Sequence, residues 1–303
     1  MKVRRTLVFA NGYDFDKIRA VIDSEADAIT LELEDLCPEP RKDEAREGAV
    51  KVLREWDFKG TEKIVRINSP ETERGKKDLE AILPAHPDAI RLPKCETVEY
   101  VKSVDAYMTA FEKNNGLPLN SIELILVIES PLGIINCYEM ARCAKRITGV
   151  GLGAYDLCNE MNIDRDLTAG SVQLLYAKQK MVMDAKAAGV DVFDTTVVCP
   201  PGQADAMNDF IAADTAAIKM MGFTGRSVSM LPHIPIVNRV FAPAESEVAH
   251  ARRVITGWND GLARGDREIY VDGKFIDPPI VERAQKLLSL HESIEFRRAM
   301  RGK

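Results

Sequence analysis

Apolar and polar positions follow two alternating rhythms along the chain. One is short and strand-like, as in "AITLELE" from Ala28, where Ile29, Leu31 and Leu33 interleave with Thr30, Glu32 and Glu34. The other is longer and repeats apolar residues every three or four positions, which is helical spacing. Strands are predicted over 5–10, 28–34, 63–68, 89–93, 123–129, 149–154, 190–195 and 216–220, and helices over 15–25, 41–55, 74–82, 97–114, 132–144, 171–188 and 203–213. Eight strand–helix alternations over about 225 residues predict an α/β fold of the (β/α)8, or TIM, barrel type. A doubly wound sheet is the alternative, but no G-x-G-x-x-G follows the first strand.

Beyond the eighth strand the rhythm changes. Pro232, Pro235 and Pro243 punctuate a predicted loop, followed by a helix over 246–264. "REIYVDGKFIDPP" reads as a hairpin turning on Asp-Gly, and a last helix covers 281–298. The expected organisation is a catalytic barrel over 1–230 and a C-terminal helical and hairpin extension, acting as a lid, over 231–303. The extension is too short for a second large core.

In such a barrel, chemistry sits at the C-terminal ends of the strands. Several predicted strands end in charged or polar groups there: Asn11, then Glu34 and Asp35, then Arg66 and Asn68, Lys94, Glu129, Asp156, and Asp194 with Thr195 and Thr196. Glu32 should point into the same interior as Glu34. Singly, each has a plainer reading. Asp156 reads as a helix N-cap, Lys94 as a solvated loop lysine, Arg66 as the ion-pair partner of Glu32 or Glu34, and Glu129 as a cap or salt-bridge partner. Their shared position is what points to a site. Two carboxylates one strand apart, Glu129 and Asp156, suit a hard cation such as Mg²⁺, which keeps waters and borrows substrate oxygens. None of the four histidines falls in a ligand pattern at a strand end.

Bulk properties narrow the partners. The 303-residue chain is 46% hydrophobic and 29% charged, as expected of a globular protein. A net charge of −6 argues against nucleic acid. No apolar run reaches the roughly 18 residues of a membrane helix, and the N-terminus lacks a signal-like core. Six scattered cysteines without metal-finger spacing fit a reduced compartment, so a cytoplasmic location is expected.

A set of segments, in order, carries a resemblance: "RRTLVFANG", "AITLELED", "IVRINSPETERGKKDLEAI", "AIRLPKCET", "VIESPLGIINCYEMA", "GVGLGAYDL", "GVDVFDTT", "MMGFTGRSVSMLPHIPIVNRVFAPAESEVAHARRV" and "VDGKFIDPPIVERA". From about residue 4 to residue 288 they resemble the HpcH/HpaI aldolase and citrate-lyase superfamily, which includes citrate lyase β subunits and malyl-CoA and citramalyl-CoA lyases. The resemblance implies a Mg²⁺-dependent barrel that makes or breaks a C–C bond next to a thioester. It implies that Glu129 and Asp156 hold the metal, that Arg66 contacts substrate oxygens, and that Glu34 and Asp35 support the metal site. It implies that Asp277 acts as acid/base across a subunit boundary, in a homo-oligomer that is a trimer or a hexamer of trimers. Asn11, Glu32, Lys94, Gly153 and Ala154 are expected along the substrate mouth.

The chain also departs from the family pattern. Ala10-Asn11-Gly12 stands for "VPG", Glu32 for the first Asp of "LDLED", and Tyr155 for the carboxylate of "GAED". These changes leave the metal pair intact and leave the acyl substrate open.

The expected reaction is retro-Claisen cleavage of a citryl, citramalyl or malyl thioester to a 2-oxo acid and an acyl thioester. The carrier is either coenzyme A or an acyl-carrier protein, the latter within a complex of other citrate lyase-type subunits. The competing readings are a thioester hydrolase on the same scaffold and a non-catalytic paralogue that binds a 2-oxo acid.

Overall fold

The computed structural model describes residues 2–168, 170–199 and 202–301. Arg4–Phe241 forms one compact unit. Its eight strands are β1 (Thr6–Asn11), β2 (Ala28–Glu32), β3 (Glu62–Arg66), β4 (Ala89–Leu92), β5 (Glu123–Ile128), β6 (Ile147–Leu152), β7 (Asp191–Asp194) and β8 (Gly225–Val228). All pair in parallel, each with the next, and β1 pairs with β8, which closes the barrel. Closure leaves no sheet edge exposed.

Strand alternation sorts the side chains. Leu7, Ala28, Ile64, Ala89, Ile125 and Phe193 form one buried cluster inside the barrel. Their chain neighbours Val8, Ile29, Val65, Ile90, Leu124 and Val192 belong to a second cluster, packed against the surrounding helices. Both strand faces are therefore buried, which explains strands that read as apolar runs. At the N-terminal end of the barrel, Arg4 bonds Glu62, Glu123 and Thr148.

The surrounding helices are α1 (Phe15–Asp23), α2 (Lys42–Glu55), α3 (Glu73–Ile82), α4 (Val98–Asn114), α5 (Pro131–Ala141), α6 (Ala154–Glu160), α7 (Leu175–Ala188), α8 (Asn208–Met221) and α9 (His233–Phe241). Their starts follow local rules. Asp14, Thr72, Thr97 and Ser130 accept a hydrogen bond from the backbone N–H three residues on.

Three sequence expectations are corrected. The strand predicted over 216–220 lies inside α8, and the helix predicted over 203–213 is displaced to Asn208–Met221. Ile211, Asp214, Thr215 and Ile218 are its buried residues, a helical stripe, and "AAIKM" is simply its last apolar stretch. The eighth strand is "GRSV", whose Arg226 is fully buried against Asp214 (3.0 Å) and Thr215 (3.0 Å) of α8. Finally, the predicted loop around Pro232 and Pro235 contains α9. Pro235 falls in its first turn, where the missing N–H costs little. Asn238 of α9 accepts from Thr6 Oγ1 (3.1 Å) and donates to the Glu25 carbonyl (2.7 Å), tying the helix to the barrel.

Apart from Lys2 and Val3, the second unit runs from Ala242 onward. It contains α10 (Glu245–Arg264), the antiparallel pair β9 (Ile269–Val271) and β10 (Lys274–Ile276), and α11 (Pro278–Arg301). Asp272 and Gly273, both with positive φ, make the hairpin turn. Ala251, Val254, Ile269, Val271, Ile276, Val281 and Ala284 form a small core of its own. No helix among the described residues is long and apolar enough to cross a membrane.

Candidate active site

The C-terminal ends of the strands enclose a cavity of about 380 Å³, lined in part by Phe9, Asp35, Arg66, Arg91, Glu129, Gly153, Ala154, Asp156, Thr195 and Ser227. Glu129 follows β5 directly. Ser130 then caps α5 and Pro131 opens it, so the chain turns away just after the carboxylate. Asp156 lies in the first turn of α6, whose N-cap position is Gly153. Gly153 is required there because a Cβ would come within 2.6 Å of Glu129 Oε2.

Asp35, Glu129 and Asp156 each offer an oxygen within 4.8 Å of the other two. Asp35, expected only to support the metal site, thus supplies a third carboxylate. Lys94 stands among them, with Nζ 3.1 Å from Asp156 and 3.5 Å from both Asp35 and Glu129. Its backbone adopts a left-handed conformation (φ 54), and its N–H donates to Glu129 Oε1 at 2.7 Å. Such a conformation costs a non-glycine residue about 1 kcal/mol or more. When all three are ionised, three carboxylates around one ammonium leave two negative charges unmatched within the cluster.

Glu129 is 2% exposed, and its Oε2 has no hydrogen-bond partner among the described residues. Burial pushes its pKa up to about 7, against the pull of Lys94. A buried carboxylate oxygen left open, beside two more carboxylates, fits a hard divalent ion.

Beside this cluster lies a second one. Arg66, at the end of β3, donates from Nε to Glu32 Oε2 at 2.7 Å and pairs through Nη1 with Glu34 at 3.2 Å. Glu32 also accepts from the Glu34 N–H at 2.6 Å, and Glu34 from the Asp35 N–H at 2.9 Å. The acidic strand end is therefore a chain of contacts that fixes Arg66 and aims Asp35. Burial raises Glu34 to about 8, partly offset by Arg66. Burial alone would lower the Arg66 pKa, yet Glu32 and Glu34 hold it above the ordinary arginine value.

Other expected residues make local contacts. Asn11 ends β1 and donates to the Tyr13 hydroxyl at 3.1 Å. Asn68 Oδ1 accepts from Lys42 at 2.7 Å, and its amide donates to Leu33 O and Asp78. Asp194 is buried and paired with Lys178 at 3.2 Å. Asp277 belongs to the second unit, where its Oδ1 accepts from the Ile280 N–H at 3.1 Å and caps α11.

Phe9 and Arg91 are among the cavity residues that the sequence pattern does not single out. Phe9 lies under two guanidinium groups, Arg66 at 5.0 Å and Arg91 at 4.9 Å from its ring centroid. Arg91 itself interrupts an apolar strand, and a lone arginine in a strand buried on both faces is the signal that would have found it.

Comparison with known proteins agrees with this architecture. The model of the HpcH/HpaI aldolase/citrate lyase family matches residues 5–230. The chain is 33% identical to citrate lyase subunit beta of Leuconostoc mesenteroides subsp. cremoris, covering 95% of this chain and 93% of that one. It is 29% identical to mitochondrial citramalyl-CoA lyase of Rattus norvegicus, covering 96% and 87% respectively. The crystal structure of protein CitE from Mycobacterium tuberculosis, in complex with magnesium, acetoacetate and coenzyme A, superposes with a TM-score of 0.70 at 22% identity, covering 96% of this chain and 98% of that one. The chain belongs to the HpcH/HpaI aldolase/citrate lyase family.

Proposed function

We propose that this protein is a Mg²⁺-dependent carbon–carbon lyase. It splits a 3-hydroxyacyl thioester of the citryl, citramalyl or malyl type into a 2-oxo acid and an acyl thioester. The observation that carries the reading is the charge at the strand ends: Asp35, Glu129 and Asp156 surround a single ammonium, leaving a deficit of two positive charges that one divalent cation fills. Among the relatives, the M. tuberculosis protein holds magnesium and coenzyme A in its crystal structure.

Glu129 and Asp156, with Asp35 beside them, would hold the ion, and Lys94 Nζ would give way to it. Once bound, the ion supplies Lewis-acid polarisation of the substrate's hydroxyl and carboxylate oxygens. The substrate's hydroxyl proton leaves to a base, and Arg66, held by Glu32 and Glu34, would stabilise the alkoxide charge so formed before the C–C bond breaks and its electron pair passes to the acyl thioester as the enolate. Arg66 is already oriented, so no reorganisation is needed at that moment. Gly153 and Ala154 shape the cavity wall beside Glu129. Asp277, supplied by a neighbouring subunit of a trimer or hexamer, protonates the enolate carbon of the departing acyl thioester. The thioester carrier is coenzyme A, or an acyl-carrier protein if the chain works among other citrate lyase-type subunits.

The test is a panel of citryl-, malyl-, citramalyl- and methylmalyl-CoA, followed by 2-oxo acid release with Mg²⁺ and with a chelator. Mg²⁺-dependent release from one member supports the reading. Free thiol without 2-oxo acid identifies a thioester hydrolase instead.

A further inference from the structure

The cavity holds a buried arginine that the proposed chemistry does not use. Arg91 sits in the middle of β4, two residues before Pro93. Ile90 and Leu92 pack in the outer core and Ala89 in the inner cluster, so alternation sends Arg91 into the barrel interior. It is 2% exposed. Room for it comes from β6, where a Cβ on Gly151 would lie 3.0 Å from Arg91 Nη2.

Nη2 donates to Ser227 Oγ at 3.0 Å. Nε and Nη1 have no hydrogen-bond partner among the described residues. Arg66, the neighbouring guanidinium, is already engaged by Glu32 and Glu34. A buried cation without a counter-ion is costly, and replacing its hydration requires charge-assisted hydrogen bonds. Burial, followed by repulsion from Arg66, lowers the Arg91 pKa to about 10. The Phe9 face, 4.9 Å away, offsets part of this cost but accepts no conventional hydrogen bond.

Charge in the cavity is therefore divided. The carboxylate cluster lacks positive charge, and Arg91, attracted by Glu32, Glu129 and Glu34 only through space, has no carboxylate in direct contact among the described residues. The planar fork of an arginine matches a carboxylate, which can accept from two of its N–H groups at once.

We infer that Arg91, with Ser227 beside it, is a specificity-determining residue that takes a second carboxylate of the substrate, so that the 2-oxo acid released is a dicarboxylate. This rests on the lyase reading above. An alkyl group in the same place would leave the guanidinium desolvated and unpaired. A site with open polar groups rejects a ligand that lacks their partner far more strongly than a pocket rejects one missing methyl.

The test compares freshly prepared oxaloacetate with 2-oxobutyrate, in which a methyl group replaces the second carboxylate, by calorimetric titration at saturating Mg²⁺. Wild-type protein is expected to bind oxaloacetate roughly 10²-fold or more tightly than 2-oxobutyrate, the scale of leaving a buried polar group unpaired. Arg91→Met should remove that preference, weakening oxaloacetate by a similar factor while leaving 2-oxobutyrate unchanged or tighter. Equal binding of both acids by wild type overturns the inference and leaves the lyase reading standing, and so does an equal loss of both in Arg91→Met. Binding of neither acid to the Mg²⁺-loaded protein overturns the lyase reading and this inference with it. The wild-type comparison needs no variant, so a poorly folded Arg91→Met leaves the test decisive.

Discussion

Lys94 meets Glu129 twice: its backbone N–H donates to Oε1 at 2.7 Å, and its ammonium lies 3.5 Å from the same oxygen. The first contact comes from the left-handed backbone, the second from the side chain alone. Replacing Lys94 by Met therefore keeps the backbone bond and removes the charge. Without metal, the three carboxylates then repel one another with only the more distant Arg66 to oppose them, so the melting temperature should fall. With Mg²⁺ the ion no longer has an ammonium to displace, so the Mg²⁺-induced rise in melting temperature should exceed that of wild type. Differential scanning fluorimetry with and without Mg²⁺ reads both quantities. An unchanged Mg²⁺-induced rise would contradict the shared position of ammonium and ion.

Glu129→Gln separates metal binding from folding. Burial disfavours the charged form of Glu129, so the neutral amide should leave the metal-free protein at least as stable as wild type. Mg²⁺ affinity, measured by calorimetry, should drop by roughly 10²-fold, at least the loss seen when even an outer partner of a metal ligand is removed. Unaltered Mg²⁺ affinity would remove Glu129 from the ligand set.

Arg66 and Glu32 should differ in kind. Lysine cannot hold Glu32 and Glu34 and still present a planar fork to the substrate. Arg66→Lys is expected to lose roughly 10²-fold in kcat, the scale of one oxyanion donor. Glu32→Gln keeps an acceptor for Arg66 Nε and should lose much less. Steady-state kinetics on the preferred thioester decide this. A loss below about threefold in Arg66→Lys would make the arginine a structural ion-pair partner, outside the range of an oxyanion donor.

A pH dependence is expected far from the cavity. Glu112 is fully buried. Burial alone would raise its pKa, but Arg146 and the backbone N–H groups of Ile122 and Asn120 bring it down to about 2. An unfolded glutamate titrates near 4.5, so between these values the unfolded chain binds more protons than the folded one. The contribution is complete above pH 4.5 and disappears as pH falls toward 2. Urea midpoints at decreasing pH should therefore fall more steeply in wild type than in Glu112→Gln, which should be less stable at neutral pH. Parallel curves would assign the acid sensitivity to other groups.

The barrel was legible because its outer strand faces are uniformly apolar, as at Val8, Ile29, Val65 and Ile90. β8 escaped because "GRSV" carries a glycine, a serine and an arginine whose charge is matched, among the described residues, by Asp214 of α8. The apolar end of α8 took its place in the pattern. At the site, charged strand ends stand out against apolar strands, so Arg66 and Glu129 could be read directly. The approach of Asp35 to Asp156 depends on barrel closure and on the turn into α6, and no local pattern encodes it. Arg91 was hidden because a strand interior normally reads as core.

The most direct measurement follows product stoichiometry by NMR for whichever hydroxyacyl-CoA is turned over, with wild-type protein and Mg²⁺. The reading requires one 2-oxo acid for each acyl-CoA formed, the thioester intact, and no products in the presence of a chelator. Appearance of free coenzyme A with the hydroxyacid intact would contradict it.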